Sequence, residues 1–272
     1  MAYYQQYTFS TLAQVVDDFA AFVAANGWTI DANNTYGASS YRRVHFHQGE
    51  AHFELYEDGS SIQMLGCTSY DSGQLPSNQP GKSGGSKSFL PGASCRYWFV
   101  STVGAIYIGL EWSLGGFVVW GGFFRIQEKI GSWNNGFGLV DIYSGVMLHS
   151  TAYNVSSGAL QLYYNGAWTP MATAGGVGGS AGIDIELAAK QPFKFNAGIL
   201  PIPVLLWFYN TIDTTKKHPL GFAPGVYRFN GGNVYVMMQE IVIGGTTYLP
   251  VPAYNNVLGG VSNNDFLFKL GA

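Results

Sequence analysis

The spacing of apolar residues changes period once, at Trp28, and this change constrains the fold more than any other feature of the chain. Before it, Leu12, Val15, Val16, Phe19, Phe22 and Val23 recur at i, i+3, i+4 and i+7, which gathers them on one stripe of a helix. Ser10 or Thr11 can cap the start, Thr11 with Gln14 as a capping box, and Asn26-Gly27 supplies a left-handed stop. Trp28 can then fold back on the last turn. Beyond it the period is two. The sequence predicts an all-β protein of antiparallel sandwich or barrel-like sheets with one N-terminal amphipathic helix, whose stripe is buried against the sheet that follows.

The first hairpin is expected from strands 41–47 and 50–56 around Gln48-Gly49. Val44, Phe46, Ala51, Phe53 and Leu55 fall on one face, and Arg43, His45, His47, His52 and Glu54 on the other. This turn would set Arg43 opposite Glu54 and His45 opposite His52. A strand follows at 61–66, and then a Ser/Gly/Pro/Asn-rich stretch, 71–92, too long for a plain connector. Strands are expected again at 94–102, 105–111, 117–127, 139–143, 145–153, 160–164 and 168–172. A glycine junction at 175–179 precedes more at 182–187, 192–195, 205–209, 226–229, 234–236, 239–243, 247–251 and 266–270. A division into 1–150 and 151–272 is conceivable, although no composition shift enforces it and one continuous domain is the alternative.

Composition narrows the function. The chain has 13 basic and 16 acidic residues in 272, under half the charge of an ordinary soluble domain, which is roughly one-quarter charged. The thin basic content gives no stripe for nucleic acid. The apolar stretch 112–124 is too short to cross a membrane and is broken by Gly115, Gly116, Gly121 and Gly122. No secretory signal opens the sequence, so the Asn154-Val155-Ser156 sequon carries no expectation, and Cys67 and Cys95 are expected to be buried thiols. So few charges on so long a chain suggest a surface covered by neighbouring subunits.

Four constellations resemble chemistry. His45, His47 and His52, with Glu50 or Glu54 nearby, are the candidates for a divalent ion of the zinc or nickel type, against the plainer reading of a polar outer hairpin face without a second shell. Gly178-Gly179-Ser180-Ala181-Gly182 with Asp213 and His218 matches the order of a hydrolase triad. However, a glycine linker stands where a buried strand is needed, so the triad is rejected. Gly81-Lys82-Ser83 resembles the end of a phosphate loop, but Pro76 occupies the required glycine position. Asp184 and Glu186 share a strand face, as exposed acids commonly do. Trp133 and Trp168, beside Asn134-Asn135 and Asn165-Gly166, are the tryptophans a loop could present to a sugar or a partner, whereas Trp98, Trp112 and Trp120 read as core or interface.

Four stretches carry a resemblance. They are Phe22-Val23-Ala24-Ala25-Asn26-Gly27-Trp28, Arg96-Tyr97-Trp98-Phe99-Val100-Ser101, Gly221-Phe222-Ala223-Pro224-Gly225-Val226-Tyr227, and Ile243-Gly244-Gly245-Thr246-Thr247-Tyr248-Leu249-Pro250-Val251-Pro252. They resemble virion structural proteins of tailed bacteriophages, of the tail, baseplate or collar class. The resemblance implies a virion location and a structural role in a symmetric particle, and brings no catalytic residues. The expectation is a non-enzymatic homo-oligomer that contacts other virion proteins and needs no cofactor, nucleic acid or membrane span. Its interface is expected at Gly81, Lys82, Trp133 and Trp168, with 71–92 and 175–179 as the loops that order against neighbours. The alternatives are a receptor-binding module for host surface glycans and a capsid decoration protein.

Overall fold

The helix α1 (Leu12–Ala25) begins and ends where its caps place it. In the computed structural model, Thr11 is extended and its hydroxyl oxygen accepts from the Gln14 N–H. At the other end Asn26 and Trp28 both donate N–H to the Val23 carbonyl, and Gly27 takes φ +80°, a conformation that disfavours any residue with a Cβ. The structure describes residues 3–6, 11–83, 87–89, 96–111, 118–141, 160–171, 181–183, 201–209, 217–229, 239–251 and 265–270.

The described strands, in chain order, are β1 (Tyr3–Gln6), β2 (Thr29–Tyr36), β3 (Tyr41–Gln48), β4 (Ala51–Glu57), β5 (Ile62–Cys67) and β6 (Lys87–Phe89). Then come β7 (Tyr97–Thr102), β8 (Ala105–Glu111), β9 (Val118–Arg125), β10 (Asn135–Asp141), β11 (Leu160–Tyr164) and β12 (Ala167–Met171). The last are β13 (Ala181–Ile183), β14 (Ile202–Tyr209), β15 (Lys217–Phe229), β16 (Ile241–Ile243), β17 (Thr246–Val251) and β18 (Asp265–Lys269). All pair antiparallel, the pairing that short turns between consecutive strands allow. They form a five-stranded sheet in chain order from β2 to β6, a seven-stranded sheet β1-β7-β8-β9-β10-β11-β12, and a six-stranded sheet β13-β14-β15-β18-β17-β16. The seven-stranded sheet takes strands from both sides of residue 150.

The seven-stranded sheet lies between the other two, and each of its faces is apolar for a different reason. Towards the five-stranded sheet, Tyr97, Phe99, Ile106, Ile108, Phe123 and Phe137 pack with Val44, Phe46, Phe53 and Leu55, and α1 inserts Val16, Phe19 and Val23 into the same core. Phe19 meets Phe46 and Phe99 edge to face, the arrangement that ring quadrupoles favour. On the opposite face, large rings lie across glycines of the neighbouring strand. Trp98 pairs with Gly109 and Tyr107 with Gly122. A Cβ added at Gly109 would come 1.9 Å from the Trp98 ring, so these glycines make room for rings. The six-stranded sheet closes over that face. Phe268 packs on Trp98 and Tyr107, and the Tyr107 hydroxyl donates to the Pro224 carbonyl.

Three described strands have no counterpart in the sequence expectation, and β10, β14 and β15 begin several residues earlier than expected. β1 pairs with β7, β2 opens the five-stranded sheet, and β6 lies inside the expected loop 71–92 and pairs with β5. β1 and β6 are only three or four residues long, too short for a period to register. The expected strands at 145–153, 192–195 and 234–236, the junction 175–179, and Cys95, Trp112, Ser180, Asp184, Glu186 and Asp213 lie outside the described residues. So does the sequon at 154–156.

Candidate functional site

The polar face of the β3–β4 hairpin is covered rather than outward-facing, and its register differs from expectation. Gln48 pairs with Ala51 across a two-residue turn, Gly49-Glu50, in which Gly49 takes φ +61° as the first central residue of a II′-like hairpin requires. The turn sits one residue later than Gln48-Gly49, so every pairing shifts by two. His47 stands opposite His52, His45 opposite Glu54 and Arg43 opposite Tyr56. The expected Arg43–Glu54 and His45–His52 pairs are corrected accordingly, although both remain diagonal neighbours.

A second irregularity completes the cluster. β2 pairs Ile30 with Phe46 and Ala32 with His45, which leaves Asp31 as the extra residue of a bulge. The bulge turns its carboxylate onto the histidine face, a common way of re-aiming one side chain. Asp31 Oδ2 lies 2.8 Å from His47 Nδ1, 3.8 Å from His45 Nε2 and 3.7 Å from His52 Nδ1. His45 Nε2 is 3.4 Å from His52 Nδ1, and its other nitrogen is 3.5 Å from Glu54 Oε2. Cys67 on β5 stands opposite His52 and lies close enough to His45 and Glu54 to form a second group of ligand atoms.

The start of the 68–83 segment closes over this face. Tyr70 lies 4.7 Å from the His45 ring, and its hydroxyl accepts from Arg43 Nη2. Arg43 also donates to Asn34 Oδ1 and the Gln74 carbonyl, and its Nη1 is 3.6 Å from Glu54 Oε1. As a result His45 and Glu54 are fully buried and Arg43 is 4% exposed. This charged pair has lost its water and must be satisfied by protein groups. Glu54 Oε1 nevertheless accepts no hydrogen bond among the described residues. Burial, followed by the neighbouring His47 and His45, holds the His52 ring down to about 4, while Asp31 pulls the other way. Burial, with Glu54 nearby, pushes the Cys67 thiol well above its ordinary value. Cys67 is a free, buried thiol, as expected.

The structure therefore brings together the three histidines and Glu54, which the sequence singled out, and adds Asp31, Arg43, Cys67 and Tyr70. The bulge at Asp31 and the fold-back of Tyr70 leave no mark in the local pattern. The hairpin alternation did place Arg43 and Glu54 on the right face. Glu50 is elsewhere, accepting from Asn135 Nδ2.

The other singled-out residues lie apart. Trp168 stands on β12 rather than on a loop. Its ring packs against Phe137 and Tyr163 and crosses Gly66, and its Nε1 donates to the Gly81 carbonyl. Lys82 donates to the Ser77 carbonyl. Contacts within the chain thus order this half of the 71–92 segment. Trp133, half-buried in the β9–β10 connection, stacks edge to face on Tyr164 and donates to the Ile130 carbonyl, with Lys129 over its ring. No protein-family model matches the chain, and no curated protein matches it at a significant level.

Proposed function

We propose that the chain is a non-catalytic structural subunit that associates with copies of itself and with other proteins of a tailed-bacteriophage particle, in its tail, baseplate or collar. The observation that carries this reading is sparse charge combined with open sheet edges. Each of the three sheets ends on both sides in a strand that pairs with one neighbour among the described strands. At β16, Val242 is 70% exposed between half-buried Ile241 and Ile243. An edge strand of this kind offers unpaired N–H and C=O groups to another chain, and its aliphatic side chains add apolar area to the contact. With a formal net charge of −3, little long-range repulsion opposes contact between copies. The four phage-like stretches favour the particle. The test is the native mass in solution by light scattering, for the wild type and for Val242→Asp. A multiple of the chain mass that falls in the variant is expected. A lone monomer in the wild type would overturn the reading.

A second reading, a module that binds host surface glycans, is favoured by one groove of about 430 Å³ between the β7–β8 turn and β15. Phe222 and Tyr227 offer rings there, and Gln127, Glu128 and Lys269 offer polar groups. Such a mixture suits a sugar. A glycan array with no hit removes this reading.

A further inference from the structure

We infer that Asp31, His45 and His52 form a binding site for a divalent transition-metal ion of the zinc class. The argument begins with geometry. Ligand atoms about 2.0–2.1 Å from a common tetrahedral ion lie roughly 3.3 Å from one another. The three atoms that converge here, Asp31 Oδ2, His45 Nε2 and His52 Nδ1, are separated by 3.4, 3.7 and 3.8 Å. A few tenths of an ångström of side-chain adjustment brings them onto one face of a tetrahedron.

The second observation is independent of the first. A ligating histidine usually donates its other ring N–H to a carboxylate, which fixes the tautomer and raises the basicity of the ligand. His45 has this arrangement. Its Nδ1 faces Glu54 Oε2 at 3.5 Å, on a fully buried carboxylate whose other oxygen, Oε1, faces Arg43 Nη1 at 3.6 Å. The tautomer that donates Nδ1–H to Glu54 leaves the Nε2 lone pair turned towards Asp31 and His52. His47 supports the opposite side, with its Nδ1 2.8 Å from the ligating oxygen of Asp31. Arg43, held by Asn34, Gln74 and Tyr70, backs Glu54 in turn. The outer shell that the sequence alone did not reveal is therefore built into three strands and the 68–83 segment.

Ligand chemistry selects the ion. Two imidazoles and one carboxylate suit zinc and its nickel and cobalt neighbours better than calcium or magnesium, which take oxygen sets. Access selects between the two overlapping groups of ligand atoms. His45, Glu54 and Cys67 are wholly buried, whereas Asp31 and His52 are 21% and 18% exposed and open a route for a hydrated ion. Three protein ligands leave a fourth position for water or His47. The ion would join the bulged strand β2 to β3 and β4.

The test is titration of the chelator-treated full chain with zinc by calorimetry, and with cobalt by visible absorption, where tetrahedral coordination gives intense bands. The folded wild type is expected to bind one equivalent. His52→Ala and Asp31→Ala should each weaken binding at least 100-fold, and Glu54→Gln 10- to 100-fold through His45. Cys67→Ser, which removes a ligand atom of the alternative group alone, should leave affinity unchanged. Near-ultraviolet circular dichroism checks each fold, and the part-exposed positions of His52 and Asp31 keep the test usable if Glu54→Gln unfolds. Overturning results are a folded wild type that binds neither ion, binding that survives His52→Ala together with Asp31→Ala, and binding lost in Cys67→Ser alone.

Discussion

On one face of the β3–β4 hairpin, Val44, Phe46, Phe53 and Leu55 are wholly buried; on the other, so are His45 and Glu54. Burial does not distinguish the centres of the two faces; only towards the turn do His47 and His52 keep part of their surface. The apolar face requires only shape, since rings and branched chains gain by leaving water whatever they meet, provided no void remains. The polar face requires a partner for each group, and the groups come from β2, β3, β4, β5 and the 68–83 segment. The same hairpin therefore tolerates change in different ways on its two sides.

Four measurements test that contrast. Phe53→Ala should cost the most, about 3–5 kcal/mol in chemical denaturation, because it opens a void where Phe46, Phe123 and Phe137 converge. Glu54→Leu, of similar bulk, should cost about 3 kcal/mol by leaving Arg43 short of its buried counter-charge. Adding Arg43→Met should then recover much of that loss. If Glu54→Leu were neutral alone, the polar face would be governed by shape after all, and the contrast would fail.

The next is a pH effect confined to the polar face. His52 is held down to about 4 in the folded chain against an ordinary value near 6.5, so protonation favours the unfolded state. In the presence of a chelator, its stabilising contribution is full above about pH 6.5 and is lost as pH falls through 4, on the order of 2 kcal/mol in all. His52→Gln should flatten this part of the stability profile. The smallest effect is Trp168→Phe, which keeps the ring over Gly66 but removes the hydrogen bond to the Gly81 carbonyl, for about 1 kcal/mol in thermal unfolding.

Local pattern carried the elements whose stability is local. Thr11, Gln14, Asn26 and Gly27 mark both ends of α1, and the alternation around Phe46 and Phe53 marks the faces of the hairpin. It also placed Arg43, the three histidines and Glu54 on one side. The register was misplaced because two turn positions, Gln48-Gly49 and Gly49-Glu50, fit the same alternation. Only pairing along the whole ladder separates them.

By itself, then, the amino-acid order determined the all-β class, the capped N-terminal helix and which side chains share a face, because period and capping act within a few residues. Tertiary structure alone decided that the polar face is closed, that Asp31 turns onto it through a bulge, and that Trp98 and Tyr107 lie across Gly109 and Gly122. Each of these depends on strands or segments meeting from distant parts of the chain. The pairing energy that selects among such meetings exists only once the sheets have formed.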